Sequence, residues 1–346
     1  MINAHRLCLG LGLALLLAAG SPAHADAVQR ARAQSFSVPG DGGWDYVAFD
    51  PSGDRVFLGR AHGVQVVAAR DGRLIGTIGA TTGDHGVALV PKADRVFTSD
   101  GDEKQLGVFV LSTLRKIGTV PMPGEPDGLV ADAATGRVLA LIPERHLVVA
   151  IDPVTAKVTA TVDVGGGPEA GAPDGAGAVF LTIPATGELV RLDTRTMTVG
   201  TRWKTGCERP MPVAIDVATQ RLFVGCRDRR LVVMDATDGH RIVTVPTGEL
   251  TDAATFDPHT KTVAVASGGG GISLVREESA DRYAAVGTID TPRGARTMAL
   301  DPASGRLFTA TADIASVEPA TAERPYPLLH PKPGTFRLIV IDPGPQ

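Results

Sequence analysis

The segment Thr297–Thr311, TMALDPASGRLFTAT, contains the pattern that decides the fold. An apolar run at Met298–Leu300 leads into the sequence DPASG at 301–305, and a second apolar run begins at Leu307. Pro and Gly provide turn dihedrals, Asp binds its own backbone, and aromatic or β-branched residues favour strands. The segment therefore predicts a β-hairpin.

The same hairpin recurs along the chain. If the first apolar residue of its second strand serves as a marker, the copies stand at Val56, Val96, Val138, Val179, Leu222, Val263 and Leu307. Neighbouring markers are 40 to 44 residues apart, and two more apolar runs usually follow each hairpin. A period near forty residues with four short strands per copy is typical of a propeller blade. We therefore predict an all-β, seven-bladed β-propeller of four-stranded antiparallel blades.

The two ends of the chain complement each other. After Leu307 only one further strand is available, at 336–341, whereas Ser35–Val38 precedes the first hairpin and has no blade of its own. We expect the N-terminal strand to complete the C-terminal blade, because this pairing closes the ring and leaves no open edge. A Pro-rich insert, residues 313–334, interrupts the seventh blade. It is either a lid over the channel mouth or a solvated loop.

The first residues have the features of a secretory signal peptide. Arg6 precedes an uninterrupted apolar run at 7–19, and Ala23-His24-Ala25 is a small-x-small cleavage site. The apolar run is too short to span a membrane. The sequence predicts removal of residues 1–25 and export to the periplasm. Residues 26–346 then form a single domain with no transmembrane segment.

The composition agrees with this class of protein. The chain is 43% hydrophobic and contains 41 Gly and 25 Pro, which suits a soluble domain rich in strands and turns. The net charge of -4 argues against a general nucleic-acid-binding surface. We expect a monomer.

Two cysteines remain after the signal peptide. Cys207 precedes the first strand of the fifth blade and Cys226 ends its second strand, so both point to the same face of a meander. In an oxidising compartment a disulfide is expected, and it would stabilise the fold by about 3 kcal/mol. The alternative is a pair of inert buried thiols.

The residue eleven positions before each marker enters the innermost strand of its blade. These residues should form a ring around the central channel: Asp45, His85, Asp127, Pro168, Met211, Asp252 and Arg296. Glu169 and Arg209 are adjacent to the ring. The candidate ligand-binding residues are Asp45, His85, Asp127, Glu169, Arg209, Asp252 and Arg296.

Three interpretations of the ring stay open at this point. Its polar groups could simply hydrate the channel. Four carboxylates, with or without His85, could bind a divalent cation as a cofactor: Asp45, Asp127, Glu169 and Asp252. Alternatively, Arg209 and Arg296 could hold an anionic ligand while a catalytic residue moves protons, the candidates being His85, Asp127 and Glu169.

Several segments resemble the YncE-like, YVTN-repeat β-propellers of bacteria. They are GWDYVAFDPSGDRVF at 43–57, HGVALVP at 85–91, DAATFDP at 252–258 and RGARTMALDPASGRLFTATAD at 293–313. The resemblance spans essentially the whole mature chain and implies an exported seven-bladed propeller. It implies no single chemistry, since fold does not carry function.

Three functions are compatible with these observations. The first is a periplasmic binding or interaction module whose small-molecule ligand or protein partner meets the charged channel mouth. The second is a metal-dependent lactonase or hydrolase in the channel, with His85 as base. The third is a quinone-dependent dehydrogenase or accessory protein, for which Trp44 is the aromatic placed to stack on the cofactor.

Overall fold

The computed structural model describes Val28, residues 31–321, Arg324 and residues 326–343. The predicted signal peptide at 1–25 and its cleavage position lie outside the described residues. Within the described part of the chain, no helix is long and apolar enough to cross a membrane.

The chain begins with strand β1, Arg32–Ser37, and then forms six complete blades in sequence order. Blade one is β2 (Trp44–Asp50), β3 (Arg55–Arg60), β4 (His62–Ala68) and β5 (Leu74–Thr82). Blade two is β6 (Asp84–Val90), β7 (Arg95–Asp100), β8 (Gln105–Val110) and β9 (Lys116–Pro121). Blade three is β10 (Leu129–Asp132), β11 (Arg137–Ile142), β12 (Leu147–Asp152) and β13 (Lys157–Asp163). Two short 3-10 turns, Pro91–Ala93 and Pro143–Arg145, join strands in blades two and three.

The remaining blades follow the same plan. Blade four is β14 (Gly171–Pro173), β15 (Ala178–Ile183), β16 (Glu188–Asp193) and β17 (Thr198–Lys204). Blade five is β18 (Pro210–Asp216), β19 (Arg221–Cys226), β20 (Arg230–Asp235) and β21 (Arg241–Pro246). Blade six is β22 (Thr251–Asp257), β23 (Thr262–Ser267), β24 (Ile272–Ser279) and β25 (Arg282–Ile289). The last segment is β26 (Met298–Leu300), β27 (Leu307–Thr311), β28 (Ile314–Glu318), β29 (Leu328–Pro331) and β30 (Arg337–Asp342).

The seventh blade is shared between the two ends of the chain. Its strand order is β1-β30-β27-β26, and β1 pairs antiparallel with β30 from Arg32 opposite Asp342 to Ser37 opposite Arg337. The predicted closure of the ring is therefore confirmed. The insert between β27 and β30 is more regular than its proline content suggested, because β28 and β29 pair as a separate two-stranded hairpin.

The inner strands form a continuous ring around the channel, since β2 packs beside β6 and so on around to β26, which again contacts β2. The second strand of each blade is buried on both faces between neighbouring sheets. The residue that follows the marker is a fully buried Phe in five blades: Phe57, Phe97, Phe180, Phe223 and Phe308. Burying one such ring stabilises the fold by about 1.5–3 kcal/mol. Each interface between neighbouring blades has its own apolar cluster.

Blade-to-blade contact is close enough to require glycine beside the channel. A Cβ on Gly86 would lie 2.5 Å from the Asp127 carbonyl oxygen, and one on Gly59 would lie 2.5 Å from the His85 carbonyl oxygen. Neither backbone oxygen can move easily, because both belong to inner strands or to their leading residues. The two glycines, Gly59 on a second strand and Gly86 on an inner strand, thus allow neighbouring blades to approach at the level of the ring.

Candidate functional site

Six of the seven predicted ring residues lie together at one end of the channel, the end where the inner strands begin, which we call the site end; Pro168 is not among the residues that line the cavity there. A cavity of about 560 Å³ lies there. The candidates that line it are Asp45, His85, Asp127, Glu169, Arg209, Met211, Asp252 and Arg296. A cavity of this size is typical of small-molecule sites.

Local irregularities at the start of the inner strands help to aim these side chains. The pairing register shifts between Trp44 and Val47 in blade one and between Thr251 and Ala253 in blade six. A β-bulge bends its strand and redirects the side chain at the extra residue. Asp45 and Asp252 lie within these shifts, so both carboxylates enter the channel.

Charged side chains on five blades form one continuous chain of contacts. His85 Nδ1 lies 2.7 Å from Asp45 Oδ2, and Arg296 Nη2 donates to Asp45 Oδ1 at 3.0 Å. Arg296 Nε lies 3.0 Å from Asp252 Oδ2. Arg227 Nη2 then donates to Asp252 Oδ1 at 2.8 Å. In the chain His85–Asp45–Arg296–Asp252–Arg227, which we call the ion chain, each of the two carboxylates thus lies between two cationic groups.

Proton affinities within the ion chain follow from these contacts. The hydrogen bond with Asp45 is the main cause that raises the pKa of His85 to about 9, so the imidazole is cationic at neutral pH. Burial acts to raise the pKa of Asp45, but Arg296 and His85 outweigh it and lower the pKa below its ordinary value. A cationic His85 bonded to an ionised Asp45 has no proton-accepting nitrogen at Nδ1. The assignment of His85 as a general base is therefore not supported by its protonation state.

Asp127 and Glu169 are in a different situation. Neither carboxyl makes a hydrogen bond or ion pair with another described side chain, although the Asp127 carboxylate lies within 4.8 Å of His85 and Asp45. Burial, with the charge of Asp45, raises the pKa of Asp127 to about 7. Burial and the charge of Asp127 raise the pKa of Glu169 to about 8. The two carboxyls are thus unpaired groups on neighbouring blades of the cavity wall.

Arg209 is the third charged group without a partner. Its guanidinium lines the cavity but contacts no carboxylate among the residues that the structure describes. Its backbone has a positive φ of 49°, and it follows the loop that carries Cys207. Arg296, the other arginine expected to hold an anionic ligand, is instead committed to Asp45 and Asp252. Binding of an anionic ligand stays a prediction for both arginines, and Arg209 is the one that has no carboxylate partner among the described residues.

The insert covers part of the cavity with apolar side chains. Its residues Tyr326, Pro327, Leu328 and Leu329 line the cavity. The base of the insert is held by hydrogen bonds from Gly334 N to Asp41 Oδ1, 2.8 Å, and from Arg337 Nη1 to Asp313 Oδ1, 2.7 Å. The cavity is therefore charged on its ring side and apolar on its insert side.

Trp44 does not offer a free stacking surface. It is 8% exposed, its indole Nε1 donates to the Gly294 carbonyl at 3.0 Å, and its ring packs 5.8 Å from Phe336. These contacts use the indole to hold blades one and seven together. The observation that supported a quinone cofactor is thereby explained by packing, and we derive no reaction through such a group.

A disulfide joins Cys207 and Cys226, with Cα atoms 6.2 Å apart. Both cysteines lie at the site end of blade five, as their positions in the meander predicted. The disulfide holds the loop before β18 against the end of β19. It therefore positions the segment that carries Arg209.

Sequence reasoning missed two charged residues that line the cavity, Arg60 and Arg227. Arg60 ends β3, is 3% exposed and stacks 3.5 Å from the Phe336 ring, while its guanidinium donates to carbonyl oxygens of Gly40 and Asp41. Arg227 directly follows β19. Both lie at the end of second strands, which also point to the site end, whereas the ring positions given by the repeat all lie at the start of inner strands.

Comparison with known proteins adds support for the fold alone. No protein-family model matches the chain, and no curated protein matches its sequence. Many solved structures resemble it, and three of them illustrate the likeness. They are the WD40 repeats of RRP9 (TM-score 0.74, 11% identity, 89% of this chain and 97% of that one), a chain of Kuenenia stuttgartiensis hydrazine synthase (0.67, 13%, 85% and 97%) and a chain of the mitotic checkpoint complex (0.72, 13%, 99% and 99%). The protein is thus a seven-bladed β-propeller.

Proposed function

We propose that this protein is an exported, periplasmic propeller of the YncE-like kind that binds a small molecule in the cavity at its site end. The observation that carries the proposal is the contrast within the cavity wall. Each carboxylate of the ion chain has two cationic partners, while Asp127, Glu169 and Arg209 remain unpaired beside it.

Unpaired carboxyls in such a position are costly to the fold. Withdrawing a charged group from water without a partner opposes folding, and the raised pKa values of Asp127 and Glu169 express that cost. A residue retained only for channel hydration would be paired at less cost, as Asp45 and Asp252 are. A bound ligand that supplies the missing partners would explain the arrangement.

A protein partner is compatible with the same proposal. The similar structures include WD40 repeats and a chain of a checkpoint complex, so propellers of this shape occur in assemblies. The insert exposes 46% of Tyr326 and 39% of Leu328 at the site end. A partner that contacts the insert would also cover the cavity.

The test is extraction of the protein as it is made in the cell. The full chain is expressed with its own N-terminus, purified from periplasm and denatured, and released molecules are identified by mass spectrometry. We expect the intact mass of a chain starting near Asp26 and one small molecule in stoichiometric amount, reduced in the variant Asp127→Asn/Glu169→Gln. A cytoplasmic chain with residues 1–25 retained would contradict export. Equal release from the variant, or no released molecule, would contradict binding in the cavity.

One observation favours a second candidate, the metal-dependent hydrolase. Ligand atoms of Asp45, His85 and Asp127 lie within 4.8 Å of one another. Both Asp45 oxygens, however, already contact His85 and Arg296, and the Arg296 cation opposes a divalent ion there. Elemental analysis and a thermal melt with and without chelator decide between the candidates. Stoichiometric metal and a melting temperature lowered by chelation would favour the hydrolase.

A further inference from the structure

We infer that the cavity takes an organic ammonium compound, whose cationic group lies between Asp127 and Glu169 and whose apolar part faces the insert. This inference rests on the proposed function, because it names the class of ligand for the same cavity. It follows from which cavity groups are already paired and which are free.

Most cationic side chains around the cavity already contact acceptor groups of the protein itself. Arg296 contacts Asp45 and Asp252, and Arg227 contacts Asp252. Arg60 donates to backbone carbonyls and to Gln65. The groups left to recognise a ligand are therefore two carboxyls on adjacent blades and one guanidinium, Arg209. Two neighbouring acceptors suit a group with several N–H donors.

An ammonium group fits this pair better than a metal ion does. Asp127 and Glu169 repel one another when both are ionised, and a cation between them removes that repulsion. A divalent ion would need further oxygen ligands, but the nearest ones, on Asp45 and Asp252, are held by arginines. An ammonium group needs only the hydrogen bonds that the two carboxyls offer.

The apolar residues of the cavity wall indicate that the rest of the ligand is apolar. Leu250 and Met211 line the cavity on the ring side, and Tyr326, Leu328 and Leu329 line it on the insert side. Apolar lining with a few convergent polar groups is the usual composition of small-molecule sites. Arg209 is available for a carboxylate if the ligand also has one, so a zwitterion would use all three free groups.

Four probes with one benzene ring and different charges test the inference by calorimetry on the unmodified mature protein. They are phenethylamine (cation), phenylalanine (zwitterion), 3-phenylpropionate (anion) and phenethyl alcohol (neutral). We expect phenethylamine, or phenylalanine, to bind at least about tenfold more tightly than the anion and the alcohol. Tighter binding of the anion, equal binding of the alcohol, or no binding of any probe up to about 10 mM would overturn the inference.

Variants locate the cationic group. Asp127→Asn/Glu169→Gln should weaken phenethylamine binding by at least about tenfold, whereas the matched control Glu125→Gln/Glu208→Gln, outside the cavity lining, should leave it unchanged. Arg209→Gln should weaken phenylalanine binding and spare phenethylamine. Thermal melts check that each variant is folded. Ammonium binding that survives the double variant contradicts the inference.

Extraction and titration together distinguish an error in the ligand class from an error in the proposed function. If an anion or a neutral molecule is extracted from the cavity, the class is wrong and the binding function stands. If Mg²⁺ or Ca²⁺ alone binds and depends on Asp127 and Glu169, the metal interpretation replaces the ammonium one. If neither extraction nor any probe gives a ligand, both proposals fail together.

Discussion

The two ends of the inner strands place carboxylates in different surroundings. At the far end, where each inner strand turns into the second strand, an aspartate recurs in five blades and is buried: Asp50, Asp132, Asp216, Asp257 and Asp301. Each accepts hydrogen bonds from its own turn, such as Asp301 from Ala303 N at 3.0 Å. At the site end the equivalent positions differ from blade to blade, and Asp127 and Glu169 accept none from described side chains.

The pKa values express this difference. Burial acts to raise the pKa of Asp301, but hydrogen bonds from Ser304 and Ala303 outweigh it and lower the pKa below its ordinary value. No hydrogen bond offsets the burial of Asp127, and the charges of His85 and Arg296 offset it only in part, so its pKa rises to about 7. A repeated and hydrogen-bonded carboxylate therefore serves the fold, whereas a varied and unpaired one is available for binding.

The largest effect on stability should come from the disulfide, which holds the site end of blade five. Replacing both cysteines, Cys207→Ser/Cys226→Ser, should lower the free energy of unfolding by about 3 kcal/mol, because the unfolded chain regains the freedom of the closed loop. Urea unfolding of the variant and of the oxidised wild type measures the difference. Wild-type protein under reducing conditions should match the variant. An unchanged midpoint after reduction would show that the disulfide contributes little.

A turn aspartate should come next. Asp132 is 1% exposed and accepts hydrogen bonds from Thr135 Oγ1 and from Thr194 Oγ1 of the next blade, both at 2.6 Å. Asp132→Ala leaves these donors without an acceptor and should cost about 2 kcal/mol in urea unfolding. Ligand binding by the folded fraction should be unchanged. A variant that keeps its stability but loses the ligand would mean that Asp132 serves binding and not the fold, which would contradict the comparison between the two ends.

The smallest effect, and one of opposite sign, is expected for Asp127→Asn. The folded pKa of about 7 is above the unfolded value, so the folded state holds its proton more tightly than the unfolded chain does. Stability from this group is full below about pH 4, where the unfolded carboxyl is protonated too, and it falls as pH rises from there through about 7. The variant avoids that loss and should melt about 2–4 °C above wild type at pH 8, and at the same temperature as wild type at about pH 3.

The titratable groups around Asp127 define the control for this measurement. They are Asp45, Tyr46, His85, Glu169, Asp252 and Arg296. Glu125→Gln, an exposed carboxylate two residues away that lies 3.8 Å from Lys104, should show no such pH dependence. A melting temperature of Asp127→Asn below that of wild type at pH 8 would mean that Asp127 has a stabilising partner after all.

The fold could be predicted from the sequence because a propeller repeats its turn chemistry in every blade. The spacing of the markers indicated the seven blades, and the missing strand after Leu307 indicated the closure with β1. Six of the seven ring positions also line the cavity, since a residue that enters an inner strand lies near the channel whichever contacts its side chain makes. A residue can thus be assigned to its place in a blade without knowledge of its side-chain contacts.

The pairing of charges could not be predicted in this way. Arg296 and Asp45 are 251 residues apart in sequence, and only the closed ring and the side-chain rotamers bring them together. The sequence therefore favoured a ligand as the partner of Arg296. In the structure, two carboxylates of the protein contact Arg296 instead. Arg227 was missed because it follows a second strand, although the charged run RDRR at 227–230 is visible in the sequence.

The pairing of β1 with β30 also sets an order of events. Arg32 and Asp342 are partners in the seventh blade, so that blade cannot form until almost all of the described chain is available. Closing so long a segment is entropically costly and slow compared with forming the hairpins of a single blade. Six blades can assemble while the ring is still open, and the pairing of β1 with β30 closes it last. A nascent or translocating chain would remain an open arc, with its channel wall incomplete, until its final strand arrives.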